Sequence, residues 1–188
     1  MEGRKFVTQA ETFDFAIVGA GMAGASAAYF LAGEGRVLLL EMESQPGYHT
    51  TGRSAALYTE AYGNAPIRAL TSSGRKFLME PPDGFSETPI LTPRGVMFIG
   101  REDQLAALDE VYTSASEHVD SMQRLTEAEV RERVPVVRPG YAAAGVLEAD
   151  AMDMDVNALH QGFLRGARRS GTQLRPKARV EKLERDGG

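Results

Sequence analysis

Residues 13–41 read FDFAIVGAGMAGASAAYFLAGEGRVLLLE, and this stretch decides the fold. Phe13 to Val18 is an apolar run that stops at a glycine, the pattern of a buried parallel strand. Ala23 to Leu31 is rich in alanine and gives way to Gly33 and Gly35, which suits a tightly packed helix and its stop signal. Val37 to Leu40 is again apolar and uncharged, a second buried strand closed by Glu41. Strand, glycine turn, helix and strand form a β-α-β unit. At its turn lies Gly19-Ala20-Gly21-Met22-Ala23-Gly24. The first glycine lets the chain leave the strand, the second leaves room for a pyrophosphate against the backbone, and the third lets helix and strand close up. The helix N-terminus adds free N–H groups and a positive dipole end. Glu41 comes 17 residues after Gly24. A carboxylate there accepts hydrogen bonds from adenosine ribose hydroxyls, or it is simply an acid at a strand end. The same charge disfavours a 2′-phosphate. NAD and FAD proteins share the fingerprint, so it leaves the choice between them open.

The surrounding composition narrows the class. The 188 residues contain no cysteine, which excludes a disulfide framework, a thiolate metal site, an iron–sulfur cluster and a cysteine nucleophile. A reducing, cytoplasmic setting is the expectation. Seven of the 20 glycines fall between Gly19 and Gly52, so the glycine excess belongs to the loop and to the segment just after the second strand. The net charge of −5 is uneven: residues 101–133 are strongly acidic and 160–188 are basic. Arg165, Arg168 and Arg169 share one helix face, which reads as a solvated surface and not as a nucleic-acid patch. No nucleic-acid partner is expected. No apolar stretch approaches the length of a membrane span, and residues 1–13 read as a ragged extension without a signal-peptide core.

Further along, Arg53 to Leu57 reads as the start of a short helix and Pro66 to Met79 as a longer one, stopped by Pro81-Pro82. Ile90-Leu91 and Val96 to Ile99 read as short strands beside Pro93. Residues 102–117 have helical periodicity, with Glu102 and Asp103 at the favourable end. Thr126-Glu-Ala-Glu129 is a capping box. Tyr141 to Leu147 reads as a strand, Val156 to Ala167 as a helix ended by Gly171, and Ala178 to Leu183 as a final strand. Asp186-Gly187 is a hairpin-turn signal. Asp150, Asp153 and Asp155 lack the glycine and terminal glutamate of a calcium loop, so no metal site is expected; Asp155 reads as a helix N-cap.

The segment after Glu41 is unlike a second βα unit. Gly47-Tyr-His-Thr-Thr-Gly-Arg-Ser-Ala-Ala56 is rich in hydroxyls and backbone donors, with Arg53 offering a fork to phosphate. It reads either as a wrap around a longer cofactor or as a surface loop. Taken together, IVGAGMAGASAAYFLA, LLLE, PGYHTTGRSAAL and DMDVNALHQGFLRGARRSG resemble the FAD-dependent D-amino-acid dehydrogenase and glycine-oxidase-like oxidoreductases, most of all the D-arginine-oxidising branch. The resemblance runs from about Asp14 to the end. It implies an α/β fold: a Rossmann-like FAD-binding domain with a parallel sheet, and the incomplete start of a mixed α+β substrate domain. On that basis residues 14–80 begin the FAD-binding domain, 81–148 form an insertion contributing to a substrate or cap domain, and 149–188 return to the first.

The resemblance implies non-covalent FAD held by Gly19, Gly21, Ala23 and Gly24, by Glu41 and Met42 at the ribose, and by Thr50, Thr51, Gly52, Arg53, Ser54, Ala55, Ala56 and Leu57 beside the pyrophosphate and flavin. Val180 matches a position whose backbone meets adenine. Tyr62 matches a tyrosine on a mobile loop over the substrate; as a residue it reads equally as a half-buried anchoring aromatic. The implied reaction oxidises the CH–NH2 group of a D-amino acid to an imino acid, which water converts to a 2-oxo acid and ammonia; the electron acceptor is unassigned. Where arginine-reading relatives carry an acid after Pro93-Arg94 and a histidine at Leu57, this chain has neither, which favours a more apolar substrate. No residue is assigned as the catalytic base: His160 reads as a packed helix histidine, and His49 stays unassigned. Relatives continue well beyond residue 188, so an amino-terminal fragment is expected. The other readings are a non-catalytic nucleotide-binding module and an NAD-dependent dehydrogenase.

Overall fold

A strand such as Val37–Leu40 has no polar side chain for either face, so it must be covered on both sides and flanked at both edges. The computed structural model describes residues 11–54 and 56–185 and shows that arrangement. Strand β1 (Phe15–Val18), strand β2 (Val37–Leu40) and a later strand, Gln173–Arg175, form a parallel sheet with β2 in the centre. Ile17 is level with Leu39, and Leu39 with Leu174. Helix α1 (Met22–Leu31) connects β1 to β2 and buries Ala25 and Ala28. A Cβ on Gly24 would lie 1.8 Å from the Gly19 carbonyl oxygen, so only glycine permits this approach of helix to turn.

The chain divides into two compact units, with boundaries after Ser54 and before Leu159. The parallel sheet belongs to the first. Helix α5 (Val156–Arg169) belongs to that unit from Leu159 onward and buries Leu159, His160, Phe163, Leu164 and Ala167. The ring of Tyr29 on α1 lies edge-on to Phe163 and fills the space that a side chain at Gly166 would need. Gly171, at φ +92°, turns the chain out of α5.

The second unit is antiparallel. One sheet has the order β3 (Leu57–Tyr58), β8 (Met152–Met154), β4 (Leu91–Pro93); another has β5 (Val96–Gly100), β7 (Ala144–Glu148), β6 (Met122–Thr126). Helices α2 (Ala65–Met79), α3 (Leu105–Ser116) and α4 (Glu127–Arg133) accompany them. Leu108, Ala115, Val119, Met122 and Val146 form one core cluster, and Leu125, Val130 and Ala142 another. No helix among the described residues is long and apolar enough to cross a membrane.

Both bonds of the capping box are made: Glu129 N–H donates to Thr126 Oγ1 at 3.4 Å and Thr126 N–H to Glu129 Oε2 at 2.7 Å. The Thr126 N–H, helped by its hydroxyl, holds the Glu129 carboxyl below the usual range. The cap is therefore complete above that range and fades as pH falls through the lowered value. Thr126→Ala is expected to cost about 1 kcal/mol in urea unfolding, with an unchanged m-value.

Two expectations fail. Arg53 to Leu57 starts no α-helix: Thr51–Arg53 is one 3₁₀ turn, and Leu57 opens β3 opposite Asp153. Ala178 to Leu183 is not a strand, so Val180 is not on one. The third parallel strand is instead β9 (Gln173–Arg175), which ends where Pro176 lacks an N–H and Lys177 adopts φ +56°. Beyond it, Lys177 and Ala178 donate to the carbonyls of Glu43 and Glu41. Strands β6 and β8 have no counterpart in the sequence reading. The Asp186-Gly187 turn signal and most of the 1–13 extension lie outside the described residues.

Candidate functional site

The carboxyl ends of β1 and β2 face a cavity of about 490 Å³ in the first unit. Gly19, Gly21, Glu41, Met42, Thr50, Thr51 and Val180, all expected from sequence, line it. So do Gly47, Tyr48 and His49, from the segment that reads as a cofactor wrap or a surface loop, and Val18, Leu40, Ala178 and Arg179, which the sequence does not single out. For Val18 and Leu40 a signal was available: they end the parallel strands, where open α/β sheets bind ligands. Ala23 and Gly24 belong to the first turn of α1, whose early N–H groups have no carbonyl behind them in the helix. That turn carries no acidic side chain. Gly52 and Arg53 lie in the 3₁₀ turn and Ser54 ends it; Ala55 lies outside the described residues. Ala56 and Leu57 belong to the second unit, where the Ala56 carbonyl accepts from Met154.

Glu41 is only 8% exposed. Its Oε2 accepts from Ala20 N–H at 2.8 Å and its Oε1 from Glu43 N–H at 2.9 Å, so it is tied into the glycine loop and is not a loose strand-end acid. Each carboxylate oxygen keeps a second lone pair for a ligand hydroxyl. Thr51 Oγ1 accepts from Met22 N–H at 3.0 Å, which leaves the hydroxyl proton free to donate. Gly21 presents bare backbone: a Cβ there would stand 3.3 Å from Thr51 Oγ1. Val18, Met42 and Tyr48 leave apolar surface open to solvent at the rim. Arg53 lies over the Tyr48 ring at 5.6 Å, and His49 Nε2 pairs with Glu43 Oε1 at 2.9 Å. Bare glycine backbone, a positive helix end, a held carboxylate and an apolar rim fit the pyrophosphate, ribose and ring system of a flavin dinucleotide.

Tyr62 is 71% exposed, so it is no half-buried anchor. It borders a cavity of about 300 Å³ in the second unit, with Arg68, Phe98, Glu110 and Ser114. Its loop is held on both sides. Glu148, 2% exposed, accepts from Thr59 Oγ1 at 2.5 Å and Glu60 N–H at 3.0 Å. Arg68 donates to the Gly63 carbonyl at 2.9 Å, to Ser114 Oγ at 2.6 Å and to the Ser114 carbonyl. Burial, with Glu60 accepting its proton, pushes the Tyr58 phenol well above its ordinary value. Asp155 Oδ1 accepts from Ala158 N–H at 2.8 Å, as an N-cap does, and Asp153 pairs with Arg94.

A parallel β-α-β sheet with a glycine loop under a strand-end carboxylate defines a dinucleotide-binding unit. The comparisons with known proteins narrow that class. The profile of the DAO family, described as FAD dependent oxidoreductase, matches residues 14–188, and the chain belongs to that family. FAD is the cofactor that membership assigns. The N-methyl-L-tryptophan oxidase of Salmonella arizonae is 28% identical over 163 residues, covering 85% of this chain and 43% of that protein. The glycine oxidase of Bacillus cereus superposes with a TM-score of 0.79 at 20% identity, covering 93% of this chain and 50% of the other. The L-proline dehydrogenase of P. horikoshii gives 0.76 at 16% identity, covering 92% and 46%. These two likenesses show the fold. The chain spans about half the length of the relatives it matches.

Proposed function

We propose that this chain is the FAD-holding part of an oxidoreductase that oxidises the carbon–nitrogen bond of a D-amino acid. The observation that carries the cofactor half of the reading is Glu41, held by the glycine loop at the mouth of the cavity. Gly21 and the first turn of α1 face the pyrophosphate, Glu41 and Met42 the ribose, Thr50 to Leu57 the pyrophosphate and flavin, and Val180 the adenine. Residues 81–148 contribute to the substrate domain, and Tyr62 covers the substrate. Relatives named for glycine, proline and N-methyltryptophan support an amino-acid substrate. The D configuration rests on the sequence resemblance, and Leu57 with Gly95 at the arginine-reading positions favours an apolar side chain over a guanidinium. The absence of cysteine suits a reducing, cytoplasmic setting.

Bound FAD supplies the hydride acceptor, and the protein supplies orientation and electrostatics. The substrate loses a hydride from Cα and a proton from nitrogen, and water converts the resulting imino acid to a 2-oxo acid and ammonia. A second reading, a binding module that completes its site only with further chain, is favoured by the span of about half a relative's length. Anaerobic addition of D- and L-amino acids to the FAD-loaded protein separates the two. Bleaching by an apolar D-amino acid supports the oxidoreductase, whereas bound FAD that no amino acid bleaches favours the module. Gly21→Val is expected to abolish FAD binding in a folded protein, because its methyl groups project into the space of the pyrophosphate. Unchanged flavin content would refute the assignment of Gly21.

A further inference from the structure

Helix α5 carries a buried histidine for which the cofactor reading has no use. His160 is 3% exposed, and its Nε2 lies 2.8 Å from the carbonyl oxygen of Ala20. A carbonyl only accepts, so Nε2 carries a proton and donates it. Ala20 stands between the first two glycines of the loop, and its own N–H is held by Glu41 at 2.8 Å. The peptide joining Ala20 to Gly21 is planar and trans, so fixing the Ala20 carbonyl aims the Gly21 N–H in the opposite direction, away from His160. Gly21 lines the cavity.

The same imidazole supports a second segment. A Cβ on Gly47 would come within 2.8 Å of His160 Cε1 and 3.1 Å of Nδ1, and Gly47 has φ +76°. The turn that starts there is closed by Gly52 N–H donating to the Gly47 carbonyl at 2.7 Å, and it delivers Thr51 to Met22 N–H. One ring therefore spaces the glycine loop from the hydroxyl-bearing turn.

We propose that His160 is a positioning residue for FAD: its Nε2–H bond to Ala20 and its packing beneath Gly47 aim the Gly21 N–H and Thr51 at the dinucleotide phosphates. The inference rests on the reading of this cavity as the FAD site. Glutamine keeps the donating edge, placing an amide N–H at the reach of Nε2, whereas asparagine stops one methylene short.

The test is FAD titration of the full chain by flavin fluorescence, with circular dichroism and amide exchange of residues 19–24 measured on the FAD-free protein. His160→Leu is expected to weaken FAD binding about tenfold or more and to speed exchange in the loop. His160→Gln is expected to stay within about threefold of the parent, and His160→Asn to fall towards the leucine variant. Equal affinity in the parent and the leucine variant would overturn the role of His160 while leaving the FAD site standing. Failure of the parent itself to bind FAD would overturn the site, and the proposal with it. If the leucine variant does not fold, the glutamine and asparagine pair decides: a difference supports the role, and equal affinities overturn it.

Discussion

Gly24→Ala is expected to leave a protein that neither binds FAD nor holds its first unit together. The added Cβ would sit 1.8 Å from the Gly19 carbonyl oxygen, 3.0 Å from its carbon and 3.3 Å from Ile17 Cγ2. Two of those atoms are backbone at the end of β1, so no rotamer change relieves the contact. The helix must move off the strand by more than an ångström, and its N-cap, Gly21, lines the cavity. Overpacking costs about 1–3 kcal/mol where side chains can yield, and a backbone clash belongs at or above the top of that range. Circular dichroism and urea unfolding of the FAD-free variant would register the loss. Stability within about 0.5 kcal/mol of the parent would show that α1 does not approach β1 as described.

Glu41→Ala has the next largest expected effect, and it falls more on binding than on folding. Truncation removes the acceptor for the Ala20 and Glu43 N–H groups, and Ala20 is fully buried. A buried donor left unsatisfied costs about 1–3 kcal/mol. In the proposed FAD site the ribose hydroxyls would lose charge-assisted bonds as well, so affinity for FAD is expected to fall about 100-fold. Glu41→Gln gives little relief, because both carboxylate oxygens face N–H donors and an amide nitrogen at either place opposes one of them. Comparable FAD affinity in the parent and both variants would remove Glu41 from the site.

The β1–α1–β2 unit was legible because every signal in it is local: apolar runs with no polar residue, glycines at the turn, an acid at the strand end. The capping box of α4 and the N-cap of α5 were legible for the same reason, being complete within four residues. Strand β6 was hidden because MQRLT buries Met122 and Leu125, three apart, without the alternation that marks a half-buried strand. Strand β8 is three residues long with an aspartate in the middle, and it becomes a strand only through its neighbours β3 and β4. The same distance effect governed the third parallel strand. Ala178 to Leu183 looked the better candidate by apolar content, yet Gln173–Arg175 forms the ladder because it emerges from the Gly171 turn beside β2 and Pro176 then ends it.

The candidate site divides in a similar way. The glycine loop, Glu41 and the Thr50-Thr51 pair announce themselves by type and spacing, and the structure gathers them around one cavity. His160 could be read only as a packed histidine, since its partner Ala20 is 140 residues away in sequence. Glu148 gave no sign of holding the Tyr62 loop, as Thr59 lies 89 residues before it. Residues whose work is to hold other residues leave no pattern in a single chain, because their partners are set by the fold.

A flavin dinucleotide in the cavity at the ends of β1 and β2 is the claim on which the other assignments depend. Its most direct test is the absorbance spectrum and FAD titration of the purified full chain, with NAD as competitor. The predicted result is a yellow protein that takes up one FAD per chain and keeps it in the presence of excess NAD. A folded, colourless protein that takes up no FAD, or one whose FAD is displaced by NAD, would contradict the claim.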